Sequence, residues 1–350
     1  MQEDIKKILE AGVQAPSGGN SQPWKFKISD NQVDIFYFPE KDHPILNFKN
    51  RGTLIAHGAL IENIKIAASS LGYKSALTLF PINQETKILA SFVFEKSNPK
   101  TEPLYQEIFK RTTNRKAYNT TPLTEDQKTK LFGEGFPKNE SIKIIEDQQK
   151  IKEVAEAVSM NEVIMLENKL LHKLFFKEVV WTEKEEKQKG GGLFLKTLEL
   201  KTPQQFALKL FKHWPMMRFA NKFGMSKLIA KDNAKVYAAT PVMGIIVVED
   251  KDEAFIEAGK LMENIWLKAT QMGLSFHLIT GILFFHQRIE AGQSKEFSPE
   301  HIKLVQTSYQ KIANAFGISS GVIAMVFRIG QSEPPTAHSL KLPPEIIEEK

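Results

Sequence analysis

The sequence predicts an α+β fold built from two related halves. Amphipathic helical stripes alternate with short apolar strands through the N-terminal part, and a similar alternation returns towards the C-terminus. Two long helical segments, one in each half, share a nearly matching run of letters. The chain has 350 residues, 42% of them hydrophobic and 25% charged, which suits one large or two modest globular domains.

The first half begins with an amphipathic helix, a turn-rich loop and a pair of strands. Apolar side chains share one helical face over residues 3–13. Asp30 and Asn31 form the turn between the two strands that follow the loop. A long helix then ends at Gly72. The elements predicted after the first helix are strands over 24–29 and 32–38, a helix over 53–71, and strands over 75–81 and 86–95.

A linker-like stretch over 97–103 separates the halves, so we place the domains at 1–103 and 104–350. The second half contains a helix capped by Thr124. An apolar run over 273–285 is shorter than the roughly 20 residues of a membrane span, so it predicts a buried strand, a turn and a helix start. Its other elements are strands over 141–147, 240–250 and 321–330, and helices over about 148–180, 252–273 and 299–316.

The two long helices indicate an internal duplication. Residues 58–72 (GALIENIKIAASSLG) align without a gap with residues 259–273 (GKLMENIWLKATQMG). Within this alignment Glu62 matches Glu263, and the following asparagines also match. We therefore expect the two helices to pack about a pseudo-twofold axis; the alternative is that two similar amphipathic helices arose by chance.

Composition excludes several kinds of site. The chain has no cysteine, which removes disulfides, thiolate metal sites and cysteine nucleophiles and fits a reducing compartment. The histidines do not fall at metal-ligand spacings, so we expect no metal. Net charge is +6, and residues 201–235 hold eight basic residues against one acid, Asp232. This basic segment is a solvated face, a phosphate site or a membrane-touching surface. The N-terminus lacks a signal-peptide core, so we expect a soluble cytoplasmic protein without a membrane span.

Three stretches resemble the nitroreductase family. Residues 14–26 (QAPSGGNSQPWKF) resemble the flavin loop, and residues 111–115 (RTTNR) resemble the arginine-rich motif. The C-terminal stretch VFRIGQSEPPTAHSLKLPP resembles the end of family members. Thr112 stands where the family has a second arginine, which leaves fewer charges for a phosphate.

The order of these motifs is similar to that of the fused, two-repeat Acg branch. Family members are homodimers that bind flavin mononucleotide (FMN) between the loop of one subunit and the arginines of the other. Here the first half has the loop and the second half has the arginines, while residues 132–144 (FGEGFPKNESIKI) contain no second loop. The resemblance therefore implies one FMN per chain in a monomer that mimics the dimer, with a helical lid inserted at about 160–235. Further homodimerisation stays open.

The resemblance also implies which residues bind FMN. A planar guanidinium and a lysine suit the phosphate, and small residues and amides suit the polar edge of the flavin ring. Gln22 would either bind the ring or fix the loop, and Arg328 would serve equally well in a salt bridge. The implied cofactor-binding residues are Pro16, Ser17, Gly18, Asn20, Gln22, Arg111, Thr113, Arg115, Thr280, Gly281, Arg328 and Lys341.

The function that follows is an FMN-dependent oxidoreductase. NADH or NADPH would donate a hydride through the flavin to a nitroaromatic, a quinone or a similar small acceptor. We expect no catalytic side chain, because the flavin carries the chemistry. The alternative is a protein that stores FMN under a closed lid with little turnover. A binder of nucleic acid or membrane surfaces would rest on charge alone, and we expect no nucleic-acid partner.

Overall fold

The computed structural model describes residues 1–81, 87–133 and 141–347. The helices over these residues are α1 (Gln2–Gly12), α2 (Arg51–Ser70), α3 (Tyr105–Lys110), α4 (Glu125–Phe132), α5 (Gln148–Glu167), α6 (Lys169–Glu178), α7 (Glu183–Lys189), α8 (Thr202–Phe211), α9 (Trp214–Asn221), α10 (Met225–Ala238), α11 (Asp252–Gln271), α12 (Gly281–Glu290) and α13 (Pro299–Phe316). The strands are β1 (Trp24–Ser29), β2 (Gln32–Tyr37), β3 (Tyr73–Leu79), β4 (Ile88–Lys96), β5 (Ile142–Ile145), β6 (Val179–Val180), β7 (Leu193–Phe194), β8 (Val242–Val248), β9 (Ser275–Ile279) and β10 (Val322–Gly330).

The chain forms two compact units, each assembled from separated segments. The first unit comprises Met1–Arg111, Asp250–Gln271 and Leu340–Lys350. The second unit comprises Thr112–Glu249 and Met272–Ser339. The units thus cut across the sequence halves, since α11 of the second half belongs to the first unit.

Each unit contains one four-stranded antiparallel sheet, and the two sheets have the same internal order. The first sheet runs β1-β2-β4-β3, and the second runs β5-β8-β10-β9. When the strands of each four-stranded sheet are counted along the chain, both orders are first, second, fourth, third. In both halves the long helix follows the second strand and precedes the third. This shared topology confirms the α+β class and the two-repeat interpretation.

Helices α2 and α11 pack together in the first unit through a matched pair of glycines. A Cβ atom on Gly58 would overlap the carbonyl oxygen of Ile256, and one on Gly259 would overlap that of Ile55. Gly58 and Gly259 are equivalent in the sequence alignment, and Ile55 and Ile256 each lie three residues before them, so the contact is symmetric in the way that duplicated helices require. Both positions require glycine, because only the absence of Cβ lets the backbones approach this closely.

Polar residues beside the glycines repeat the symmetry. Asn264 donates a hydrogen bond to Glu62 at 3.2 Å. In the equivalent pair, the buried amide of Asn63 favours the charged form of Glu263 and so opposes the rise that burial causes in the pKa of this carboxyl. Glu263 is fully buried, however, whereas the side chain of Glu62 keeps 14% of its exposure.

The helices α5 to α10 are an insertion in the second half. They lie between β5 and β8, whose counterparts β1 and β2 are joined by a two-residue turn at Asp30 and Asn31. Leu166, Phe176 and Met217 form a small hydrophobic core among these helices. The insertion therefore has its own core within the second unit.

Most predicted elements lie where the sequence placed them. The apolar run over 273–285 forms β9, a turn at Thr280 and the start of α12. The helix predicted over 148–180 instead breaks at Asn168, whose side chain accepts hydrogen bonds from the amides of Leu170 and Leu171 and caps α6. Much of the stretch 132–144, in which we expected no second flavin loop, lies outside the described residues.

Candidate functional site

The loop between α1 and β1 forms a tight, internally bonded turn. Gly18–Asn20 make one turn of 3₁₀ helix, and the Ser17 hydroxyl accepts a hydrogen bond from the Gln22 amide at 3.0 Å. Gly19, Asn20 and Gln22 all have positive φ angles, of 53°, 56° and 47°. Gly18 is exposed, and a Cβ atom there would meet no atom within 4 Å. The backbone around Gly18 is thus open to an approaching group.

The amide side chains of this loop bind the C-terminal segment of the first unit. Asn20 donates to the carbonyl of Leu340 at 2.8 Å, and the Gln22 side chain accepts from the amide of Leu342 at 2.9 Å. Both amides are buried. Gln22 therefore fixes the loop, one of the two roles that the sequence left open, and a contact of either amide with a flavin ring stays a prediction.

Lys341, between these two anchor points, points into the same loop. Its Nζ donates to the carbonyl of Ala15 at 2.7 Å and to Oδ1 of Asn20 at 3.1 Å. Desolvation lowers the pKa of Lys341 to about 7, with a smaller contribution from the neighbouring positive charge of Arg111. The C-terminal stretch therefore brings a cation to the loop that resembles the family's flavin loop, since Lys341 lies 326 residues after Ala15 in the sequence.

Arg111 is the second cation of this cluster. Its Nε lies 3.0 Å from a carboxylate oxygen of Glu263, its Nη2 donates to the carbonyl of Gln14, and its guanidinium lies 4.4 Å from the ring centroid of Trp266. The side chain of Arg111 is 4% exposed and that of Glu263 is fully buried. Burial raises the pKa of Glu263, while the charge of Arg111 opposes this rise.

These charges do not balance within the cluster. When all three are ionised, Arg111 and Lys341 supply two positive charges and Glu263 supplies one negative charge. An unbalanced charge in a desolvated place is unfavourable unless a counter-ion joins it. We call Arg111, Lys341 and Glu263 the Arg111–Lys341 cluster. The surplus cation of this cluster and the open backbone at Gly18 fit a phosphate group.

A second set of predicted residues lies in the second unit. Arg328, on β10, is completely buried and donates to the carbonyls of Val236 and Lys116 at 2.9 and 2.8 Å. Its guanidinium lies 4.0 Å from the ring centroid of Tyr118. Among the described residues no carboxylate lies within ion-pair distance of Arg328, so the alternative role in a salt bridge is not the one it adopts. It ties three segments of the unit together.

Arg115 lies near Arg328, and its Nη1 donates to the carbonyl of Thr197 at 2.9 Å. Burial, followed by the charges of Arg328 and Arg115, holds the pKa of His277 well below its ordinary range. That histidine is neutral, and its Nδ1 accepts from Arg328 at 3.2 Å. The second unit therefore has a buried, positively charged region of its own.

The remaining predicted residues occupy the start of α12 and the turn before Arg115. Thr280 is the N-cap residue of α12, and a Cβ atom on Gly281 would overlap the amide side chain of Asn161. Thr113 makes an isolated bridge with Phe276. A larger residue at 281 would displace the side chain of Asn161, a contact that the sequence did not reveal.

Two carboxyl groups near the predicted residues have no functional signal in the sequence. One is Glu263, which the alignment marked only as a repeat position. The other is Glu162 on α5, whose pKa desolvation raises to about 7 despite a hydrogen bond from Asn233. The negative charge of Glu162 helps to raise the pKa of Tyr237. No motif surrounds either residue, and only burial distinguishes them from the many surface glutamates.

Comparison with known proteins finds similarity to nitroreductases. A family model described as "Putative TM nitroreductase" matches residues 1–60, which include the loop from Gln14 to Gln22. The chain is similar to the nitroreductase family. An uncharacterised protein of Mycobacterium tuberculosis is 20% identical over 338 residues, covering 95% of this chain and 46% of that protein. The "Putative NAD(P)H nitroreductase acg" of the same species is 28% identical over 98 residues, covering 28% of this chain and 30% of that protein.

This nitroreductase-like chain spans only part of those relatives, namely about half of the first and about a third of the second. A solved nitroreductase from Anabaena variabilis has a TM-score of 0.44 and 11% identity, covering 95% of this chain and 88% of that one. The FMN-dependent nitroreductase NfnB of Mycobacterium smegmatis, solved with NADPH, has a TM-score of 0.36 and 10% identity, covering 66% of this chain and 88% of that one.

The described residues also bear on membrane spans and metal sites. Within residues 1–81, 87–133 and 141–347, no helix is both long enough and apolar enough to cross a membrane. Over the same ranges, no group of three or more histidine, aspartate or glutamate side chains is arranged to hold a metal ion.

Proposed function

We propose that the chain is an FMN-dependent NAD(P)H oxidoreductase that reduces a nitroaromatic, a quinone or a similar small acceptor. The observation that carries this proposal is the Arg111–Lys341 cluster. Its surplus positive charge lies against the loop that belongs to the nitroreductase-like segment 1–60. FMN, when bound, supplies the hydride chemistry, so the chain needs no nucleophile or metal of its own.

In this proposal the side chains of the cluster bind and neutralise the phosphate of FMN. The guanidinium of Arg111 is held in place by Glu263 and by the Trp266 ring, so little conformational entropy is lost when an anion arrives. Lys341 is nearly half deprotonated at neutral pH in the isolated cluster, since its pKa is about 7. A phosphate beside it stabilises the ammonium form, so Lys341 takes up a proton on binding.

The second unit contributes residues that we assign to the cofactor from the sequence resemblance. We assign Arg115 to an anion of the cofactor, because its guanidinium belongs to the positively charged region of this unit, and Arg328 to holding the segments around it. Thr113, Thr280 and Gly281 keep their predicted roles as proposals. We also propose that residues 1–103 and 104–350 are the two repeats, that residues at about 160–235 within the α5–α10 insertion form a lid, and that a single cytoplasmic chain acts as a pseudo-dimer.

The test uses the purified full chain. We expect a yellow protein with one FMN per chain, and bleaching of the flavin absorbance when NADH or NADPH is added without oxygen. A colourless protein that FMN cannot reconstitute would overturn the proposal. Retention of FMN without any bleaching would favour the storage function instead.

Site assignment is tested by Arg111→Ala, with Arg218→Ala on an exposed surface as the matched control. Truncation removes a guanidinium from the phosphate, so we expect FMN affinity to fall at least tenfold in Arg111→Ala and to stay unchanged in the control. Circular dichroism checks that the variant is folded, and competition by inorganic phosphate separates phosphate contacts from ring contacts. Equal FMN affinity in a folded Arg111→Ala protein would remove Arg111 from the site.

A further inference from the structure

Helices α8 and α9 and the start of α10 leave a set of large apolar side chains in solvent. Phe206, Phe219 and Phe223 are 73%, 58% and 77% exposed. Such exposure is unusual for phenylalanine, and contiguous apolar patches mark interaction sites. We call the following residues the apolar–basic surface: Phe206, Leu210, Met216, Phe219, Phe223 and Leu228, with the basic residues Lys201, Lys209, Lys212, Arg218 and Lys222.

The exposed side chains are not part of the core of the insertion. That core takes the opposite sides of the same helices, where Leu208, Phe211 and Met217 pack with Leu166 and Phe176. The outward residues recur every three or four positions, at 206 and 210 on α8 and at 216 and 219 on α9. Phe223 lies in the turn after α9, and its ring packs on that of Phe219 with centroids 5.4 Å apart, which extends the apolar stripe. These helices therefore have two apolar sides: the inward side packs in the core of the insertion, and the other side faces solvent.

The charge around the stripe has a single sign. Residues 201–231 contain no aspartate or glutamate, and Asp232, the acid that follows, pairs with Lys235 at 2.9 Å. All five basic residues of the apolar–basic surface are exposed. Lys227 and Lys231 on α10 line a separate cavity of about 770 Å³ with Ala157, so we do not count them in the surface. Lys212 is counted because it is exposed and adjoins α8, although its Nζ also lies 5.5 Å from the ring centroid of Trp181.

We propose that the apolar–basic surface docks on an anionic lipid bilayer. Helices that lie in a membrane interface combine phenylalanine and leucine on one face with lysine and arginine beside them. The rings enter the acyl boundary while the cations contact acidic headgroups. A second copy of the chain is a poorer occupant, because a symmetric contact would bring two sets of five cations together. Nucleic acid is also poorer, because Leu210 and Met216 cannot stack on bases as aromatic side chains do.

Vesicle co-sedimentation of the full chain tests this proposal. We expect binding to phosphatidylcholine vesicles that contain phosphatidylserine, weak binding to pure phosphatidylcholine, and at least tenfold weaker binding at 0.5 M salt than at 0.1 M, because the basic contacts are screened. The triple variant Phe206→Ser, Phe219→Ser, Phe223→Ser should lose at least tenfold in partitioning at constant net charge. Phe109→Ser, at another exposed phenylalanine, should bind as the wild type does.

Charge reversal separates the apolar and the electrostatic contributions. Lys209→Glu, Arg218→Glu, Lys222→Glu should abolish binding, whereas the charge-matched control Lys74→Glu, Lys96→Glu, Lys303→Glu at exposed positions elsewhere should weaken it far less. Flavin content and circular dichroism check that every variant is folded. No binding to phosphatidylserine vesicles, equal binding by the triple phenylalanine variant, tighter binding to RNA than to vesicles, or a dimer that dissociates in the phenylalanine variant would each overturn the proposal.

Discussion

Lys341 offers the sharpest test of the Arg111–Lys341 cluster, because its predicted effect on stability depends on pH. The pKa of this ammonium falls from its ordinary 10.5 to about 7 in the folded chain. The difference corresponds to at most about 5 kcal/mol of unfolding free energy, an upper limit because the side chain is only partly buried. The two hydrogen bonds of Lys341 to Ala15 and Asn20 offset about 1 kcal/mol each.

The sign follows from proton binding. Between pH 7 and 10.5 the unfolded chain holds a proton on Lys341 that the folded chain has released, so the folded state gains stability as pH rises. Lys341→Met has no such proton. In the FMN-free protein we expect this variant to be about 2–3 kcal/mol more stable than the wild type at pH 7. This advantage should shrink by about 3–4 kcal/mol at pH 10 and therefore reverse.

Urea unfolding at several pH values measures both proteins, and other titrating groups cancel in their difference. Lys74→Met, at an exposed position on β3, is the control and should show no pH-dependent difference. FMN affinity gives an independent readout: that of the wild type should fall by up to tenfold per pH unit above pH 7, more steeply than that of the variant. A stability difference that stays constant from pH 7 to pH 10 would refute the assignment of a desolvated lysine here.

Three further predictions follow from the buried residues. Gly58→Ala should lower the unfolding free energy by about 3 kcal/mol or more, because its Cβ overlaps backbone, whereas Gly18→Ala should change it by less than about 0.5 kcal/mol in the same denaturation assay. Glu263→Gln leaves Arg111 without its counter-ion and should cost about 3–5 kcal/mol in the FMN-free protein but much less with FMN bound; equal losses in both states would contradict the charge argument. Between pH 4.5 and about 7, Glu162 holds more protons in the folded chain than in the unfolded chain, so its contribution to the unfolding free energy falls by at most about 3 kcal/mol as pH rises. In Glu162→Gln the unfolding free energy should therefore depend less on pH over this range. An unchanged dependence would contradict burial as the cause of the raised pKa.

Local pattern was enough to predict most of the elements. Helix α13 occupies the residues predicted for it, since Ser298 caps it, Pro299 starts it and Gly317 ends it in a left-handed conformation. The strand order in each sheet was not predictable in this way. Strand pairing depends on contacts between distant segments, and the sequence shows only the period of each strand.

The sequence named Asn20, Arg111 and Lys341, which lie together in the structure, but it did not predict their hydrogen-bond and ion-pair partners. The motifs pointed to Asn20 as a ligand-facing amide, whereas its amide bonds are made with Leu340 and Lys341. The alignment treated Glu62 and Glu263 as equivalent, yet only Glu263 is fully buried against Arg111. An amphipathic pattern also predicts inward apolar faces, so the exposed Phe223 could not be foreseen.

The three-segment construction of the first unit has a consequence for synthesis. Its sheet and α2 leave the ribosome early, but α11 arrives about 140 residues after Arg111, and the segment that carries Lys341 arrives later still. At about 5–20 residues per second, the face of α2 that Gly259 will cover waits on the order of 10 s or more for its partner. During that interval the nascent chain exposes apolar surface, which makes it a client for chaperones. Because α11 comes from the other repeat, neither half made alone would contain a complete first unit.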